Sequence, residues 1–269
     1  MHNSNDKLNF VFWGTPIVAS DTLEILKNSG YMPSLIVTGE DKPQGRKMLI
    51  TPPPVKVWAE KNNIPYIQTE NPDVSKFDLS IVVAYGKIMP EQTLNAPRLG
   101  SINIHYSLLP KYRGASPVES AILNGEEETG VTIQKMAYKM DSGPVIATEK
   151  TQIHKDETAP ELKARLIKIG GELLVKTLPD LILGNIHETT QSETEATFCK
   201  KIKKEDGLID LSDDAVKNYN KFRAYSYWPR TFFFKDGKRI IITKASLEEG
   251  KFVIEKVIPE GGKEIDFKN

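Results

Sequence analysis

Cysteine occurs once in the 269 residues, at Cys199, so neither an internal disulfide nor a cysteine-rich metal site can form. That usage fits a reducing cytoplasm. No apolar run approaches the roughly 20 residues that span a bilayer. The opening MHNSNDKLNF has neither an apolar signal core nor an Arg-rich transit character. Net charge is absent as well: 36 Lys and Arg meet 36 Asp and Glu, which argues against a generic nucleic-acid coat. The distribution is uneven, however. Residues 198–269 hold 16 basic against 12 acidic side chains, a tail that suits a polyanion and equally an ordinary solvated surface. Internal repeats and low-complexity tracts are missing. So is a G-x-G-x-x-G fingerprint after the first strand, which sets aside a nicotinamide or flavin dinucleotide site.

What is present describes a globular chain: 39% hydrophobic and 27% charged residues, with a length that allows two domains. Leu8 to Trp13 reads as a buried strand. Thr15 is placed to cap and Pro16 to start a helix over 17–28, with Gly30 ending it. Ser34 to Thr38 is the next strand, and the strand–helix–strand unit opens a parallel sheet. Gly39 to Pro54 is a long polar loop carrying Lys42, Arg46 and Lys47; loops of that length in compact domains are functional or disordered. A short helix over 55–62 and an apolar strand over 79–85 follow. Gly86 to Pro90 then exposes backbone at a strand's carboxyl end, where open parallel sheets collect ligands. Residues 118–123 are helical, 131–138 and 145–151 form an antiparallel pair, and Thr158 caps a helix over 160–178. The stretch 185–197 is polar and irregular. A helix near 213–225 and three or four short strands after Thr231 complete the chain.

The most informative stretch is GSINIHYSLLPKYRGASP at 100–117, with Asp141 following in an Asp-Ser-Gly turn. Ser101 to His105 reads as a strand, so Asn103 and His105 project from one face. A carboxamide donor beside an imidazole, with a carboxylate in folding reach, can polarise a carbonyl and handle a proton, as acyl transfer to an amine requires. Taken singly, each feature has a plainer reading. Asp141 before Ser-Gly is an ordinary turn residue, Ser-Leu-Leu-Pro fits any strand exit, and Lys42, Arg46 and Lys47 fit a solvated charge run. His2, His154 and His187 stand in polar or terminal stretches.

With these motifs in order, the sequence resembles the methionyl-tRNA formyltransferase family along nearly its whole length. The resemblance rests on FVFWGTPIVASDTLEIL, EDKPQGRKMLITPPPVK, VVAYGKIMP, GSINIHYSLLPKYRGASP, GVTIQKMAYKMDSGPVIA, KKIKKEDGLIDLS and YSYWPRTFF. It implies an α/β chain: a Rossmann-like, mostly parallel formyltransferase domain over 1–184, a linker over 185–204, and a small, shortened β-barrel of the OB-like type over 205–269. It also implies formyl transfer from 10-formyltetrahydrofolate, without a metal, to the α-amino group of methionyl-tRNA in translation initiation. The catalytic trio falls on Asn103, His105 and Asp141. The folate site falls on the backbone at Ile88 and Met89 and on Ser107, Leu108, Leu109 and Pro110. The tRNA contacts fall on Lys42, Arg46 and Lys47 and on Lys200, Lys201, Lys203 and Lys204. A cytoplasmic monomer without a membrane partner is expected.

Two features depart from the pattern. Tyr106 stands where a small residue or proline is expected, which bears on the folate pocket. After Pro229 the sequence has 40 residues, too few for a full five-stranded barrel with strands of about 5–6 residues. Three other readings remain open at this point, one of them a formyltetrahydrofolate hydrolase, which would send the formyl group to water. An N-formyltransferase for a nucleotide-linked amino sugar would keep the same trio, although the basic 39–54 loop argues against it. An inactive RNA- or folate-binding protein would have no need of all three side chains.

Overall fold

The computed structural model describes residues 8–45, 47–68 and 72–268. Two compact units emerge from its contacts. One holds the described residues up to Pro110 with Val131–Glu149 and Leu166–Ala196; the other holds Lys111–Gly130, Lys150–Arg165 and the described residues from Thr197 on. Among the described residues no helix is long and apolar enough to cross a membrane.

The chain begins with β1 (Phe10–Gly14), buried at every position. Burial on both faces calls for a continuous apolar run, which FVFWG supplies. In α1 (Ile17–Asn28) the buried residues Val18, Ala19, Thr22, Leu23 and Leu26 trace one helical face. β2 (Leu35–Val37) pairs parallel with β1. Inside the 39–54 stretch, β3 (Lys42–Gln44) pairs antiparallel with β4 (Leu49–Thr51). The expected loop is therefore a small hairpin, because Leu-Ile-Thr has strand character despite the flanking prolines. α2 (Pro54–Lys61) starts on a proline, the residue that fits a first helical turn. β5 (Tyr66–Ile67), β6 (Leu79–Val83), α3 (Glu91–Asn95) and β7 (Ser101–His105) follow. Next come β8 (Arg113–Gly114), α4 (Pro117–Leu123), β9 (Glu128–Lys135), β10 (Val145–Gln152) and α5 (Ala159–Leu183).

The seven-stranded central sheet has the order β10-β9-β7-β6-β1-β2-β5. Neighbours from β5 through β7 run parallel, and β9 joins β7 antiparallel. Thr15 does not cap α1; Pro16 is the cap residue and no side chain caps it. Instead the Thr15 hydroxyl donates to the Tyr85 carbonyl at 3.1 Å and accepts from the Gly39 amide at 3.2 Å. One side chain thereby joins the segments leaving β1, β2 and β6. α5 runs on to Leu183, past the expected end near Leu178, with Pro179 inside it. It lies close to its neighbours through glycine. A Cβ at Gly171 would stand 2.6 Å from Ile25 Cδ1, and one at Gly170 would stand 3.0 Å from Ile104 Cγ2. Ile104 is on the opposite side of β7 from Asn103 and His105.

In the second unit, β11 (Phe198–Cys199) pairs parallel with β8, and a 3-10 turn spans Lys204–Gly207. α6 (Ala215–Ala224) is capped by Asp214, whose carboxylate accepts from the Lys217 amide at 2.8 Å. β12 (Phe232–Lys235), β13 (Lys238–Glu248), β14 (Lys251–Pro259) and β15 (Ile265–Asp266) form an antiparallel sheet in that linear order. Two strands of 11 and 9 residues consume most of the short tail, so the sheet has four strands among the described residues. Its apolar face packs Ile209, Phe233, Ile240, Ile242 and Val257 with Phe222 and Phe252.

Candidate active site

Strand register assembles a polar patch at the carboxyl end of the parallel strands. Across β7 and β9, Asn103 stands opposite Gln134 and His105 opposite Thr132. Opposed residues in an antiparallel pair share a face, so four polar side chains line up in two rows. The Asn103 amide Nδ2 donates one N–H to the Val82 carbonyl at 3.0 Å, which orients the group and leaves its second N–H as a candidate donor.

Asp141 closes the patch from the turn after β9. Its backbone is left-handed, with φ of 50°, a conformation that Asp tolerates better than most residues. The carboxylate Oδ1 lies 3.7 Å from Nδ1 of buried His105 and accepts from Gln134 Nε2 at 3.1 Å. The first distance allows an ion pair and exceeds a direct hydrogen bond; such contacts often tighten when substrate binds. Buried Gln191 holds the turn from behind. Its Nε2 approaches the Asp141 carbonyl at 2.9 Å, the Gly143 carbonyl at 2.7 Å and Gln134 Oε1 at 3.3 Å. The two glutamines thus fix both the backbone and the carboxylate of Asp141.

Beside Asp141 opens a cavity of about 330 Å³, lined among others by Ile88, Met89, Gln134, Met136 and Met140. Its walls are largely apolar with a few convergent polar groups, the character of a small-molecule site. Ile88 and Met89, expected on the folate side, border this cavity. Ser107, Leu108, Leu109 and Pro110 are not among its lining residues; they leave β7 in a turn held by Thr132. The Thr132 hydroxyl donates to the Ser107 carbonyl at 2.7 Å and accepts from the Leu109 amide at 3.1 Å. Thr132→Val removes both bonds while keeping the shape, and buried hydrogen bonds of this kind contribute about 1 kcal/mol each. Thermal melting of that variant is expected to show the loss as a fall of a few degrees.

The remaining expected residues lie elsewhere. Lys42 and Lys47 are exposed on and beside the β3–β4 hairpin; Arg46 lies outside the described residues. Lys200, Lys201, Lys203 and Lys204 are exposed in the second unit. Tyr106 turns away from the site into the core. Its hydroxyl neighbours Thr22, its ring faces Gly170, and burial pushes its pKa up. The aromatic ring therefore adds nothing to the cavity wall. Thr132, Gln134 and Gln191 were not anticipated from the sequence. The first two carry a readable signal, because VTIQ alternates polar and apolar residues just as NIH does. Gln191 carries none.

Residues 7–178 match the family described as formyl transferase, and residues 201–266 match the formyl transferase C-terminal domain. A methionyl-tRNA formyltransferase of Thermotoga maritima is 44% identical over 231 residues, covering 82% of this chain and 74% of that relative. The chain belongs to the methionyl-tRNA formyltransferase family. Solved formyltransferase structures share its fold. The N-formyltransferase from Helicobacter canadensis, in complex with folinic acid and dTDP-3-aminofucose, has a TM-score of 0.72 at 18% identity, covering 97% of this chain and 100% of that one. The methionyl-tRNA formyltransferase from Clostridium thermocellum has a TM-score of 0.62 at 19% identity, with the same coverage. At those identities the likeness establishes the fold alone. The two stretches matched to formyl transferase leave Gln191 between them, so the clamp on Asp141 comes from outside both.

Proposed function

We propose that this formyltransferase moves a formyl group from 10-formyltetrahydrofolate to the α-amino group of methionyl-tRNA, with Asn103, His105 and Asp141 as the catalytic residues. The observation that carries the chemistry is His105, on the strand that also bears Asn103, with Asp141 reaching to 3.7 Å from the turn after β9, beside an apolar cavity. The acceptor follows from the 44% identity to a methionyl-tRNA formyltransferase over most of the chain. The cavity suits a flat heteroaromatic group: peptide groups at Ile88 and Met89 offer hydrogen bonds at one edge, and methionines adapt to its faces.

The folate supplies the formyl carbonyl. As the amine attacks its carbon, the carbonyl oxygen gains charge. The second N–H of Asn103 and a protonated His105 donate to that oxygen, a placement that typically contributes on the order of 10²–10³ per donor. Asp141 sits on the Nδ1 side of the imidazole, which gives Nε2 the oxygen-facing role and supplies the countercharge that protonated His105 requires. As the amine nitrogen bonds to carbon it gives up a proton through the same carboxylate. The tetrahedral intermediate then collapses: the bond from the formyl carbon to N10 of the folate breaks, and N10 takes up a proton to leave as tetrahydrofolate. On the acceptor side, Lys42, Arg46 and Lys47 meet the acceptor end of the tRNA. Lys200, Lys201, Lys203 and Lys204 meet its phosphates, so binding weakens steeply with salt.

The direct test offers labelled 10-formyltetrahydrofolate to the protein with methionyl-tRNA, a nucleotide-linked amino sugar and water in parallel. Label is expected on methionyl-tRNA, with rates to the other two at least about 100-fold lower. Label that appears on the amino sugar, or only as free formate, would overturn the assignment.

A further inference from the structure

One surface of the second unit combines features that the formyl-transfer chemistry does not use. Tyr227 and Trp228 sit on the turn after α6 with 82% and 50% of their surfaces exposed. That turn is built to hold its shape. The Arg230 amide closes it onto the Tyr225 carbonyl at 3.0 Å, and Pro229 beneath is buried. The 3-10 turn Lys204–Gly207 is seated directly on it: a Cβ at Gly207 would lie 2.3 Å from the Arg230 carbonyl oxygen and 3.1 Å from Pro229 Cγ. Only glycine permits that approach. That contact seats the turn that begins at Lys204 against the segment that carries the two exposed rings.

The charges on this surface are uncommitted. Lys203 and Lys204 have no carboxylate within ion-pair distance among the described residues, whereas Lys217 and Lys244 of the same unit are paired with Asp213 and Glu255. Asp206, the nearest acid in sequence, accepts instead from the Lys203 backbone amide at 2.6 Å. Exposed aromatic faces interleaved with unpaired lysines are the combination that binds unstacked nucleotides, the rings taking bases and the cations taking phosphates. A protein partner fits less well, since lysine is depleted in protein interfaces while aromatics are enriched.

We propose that Tyr227 and Trp228 form a stacking platform for an unpaired nucleotide of the tRNA, with Lys203, Lys204 and Arg230 on the adjoining phosphates. The platform rests on the tRNA reading given above. It adds a stacking role for aromatic side chains to the lysine contacts already assigned.

Tryptophan emission provides the test. Trp13 and Trp58 are buried, which leaves Trp228 as the exposed indole of the three in the chain. Titrating the full chain with methionyl-tRNA should quench the emission, and the quench should vanish in Trp228→Phe. Tyr227→Ala, at a side chain that packs against little, should weaken tRNA binding about 10-fold, with formyl-donor hydrolysis and kcat at saturating tRNA unchanged. Emission that stays level at tRNA concentrations saturating formylation would overturn the platform, as would wild-type affinity in Tyr227→Ala. Quenching by tRNA without formylation of methionyl-tRNA would keep the platform and sink the substrate reading instead.

Discussion

His105→Ala, Asp141→Ala and Asn103→Ala are each expected to turn over at least about 100-fold more slowly than the wild type, with the fold retained. The three losses differ in origin. Without Asp141, the carboxylate that faces His105 Nδ1 at 3.7 Å is gone, and with it the group assigned to carry the amine's proton. Without His105, the growing oxyanion loses its cationic donor. Asn103→Ala removes the second donor and also the bond to Val82, so its melting temperature should fall slightly, in keeping with about 1 kcal/mol per hydrogen bond. Asp141→Asn separates charge from position. Its Oδ1 can still accept from Gln134, the turn keeps its shape, and turnover alone should drop. Single-turnover rates measured with saturating donor and methionyl-tRNA read the effect. Near-wild-type rates in the three alanine variants would remove these side chains from the chemistry.

Gly143→Ala should be the most damaging change outside the trio, although Gly143 touches no substrate in this scheme. A methyl group there would lie 1.8 Å from the Lys135 carbonyl oxygen and 2.9 Å from its carbon. Both are backbone atoms of β9 and cannot rotate aside. The turn must lift off the strand, losing the 2.9 Å bond from the Lys135 amide to Pro144 and the Gln191 contacts to the Asp141 and Gly143 carbonyls. Overpacking of this kind costs about 1–3 kcal/mol, and Asp141 is carried away from His105. Thermal melting should register the first effect and turnover the second, by at least about 10-fold, since misplacement by an ångström is felt strongly in catalysis. A protein with unchanged melting and unchanged rate would show that the turn is not seated on β9.

The framework was readable because each element carries a local signature. FVFWG and LSIVV announce doubly buried strands, and NIH on a strand places its two polar groups together. The site's supporting residues were harder. Thr132 and Gln134 obey the same alternation as Asn103 and His105, but nothing local says which strand lies beside β7. Gln191 stands in a polar stretch that reads as a connection, and its burial depends on a fold-back over 50 residues of separation. Thr15 had the local chemistry of a helix cap and found stronger partners in Tyr85 and Gly39, two distant backbone groups. The hairpin over 42–51 was hidden by prolines and charge that outweigh three strand-forming residues in composition but not in pairing.

The antiparallel seam between β7 and β9 has a consequence for folding. Side chains alternate with a period of two, so sliding β9 by a single residue would send Thr132 and Gln134 to the far face and bring Val131, Ile133 and Lys135 beside His105. Such a misaligned molecule would keep its strands, its helices and much of its far-ultraviolet spectrum, yet it would have no acid held in place. Recovery of activity during refolding therefore reports on alignment of that edge, and it should trail the return of secondary structure.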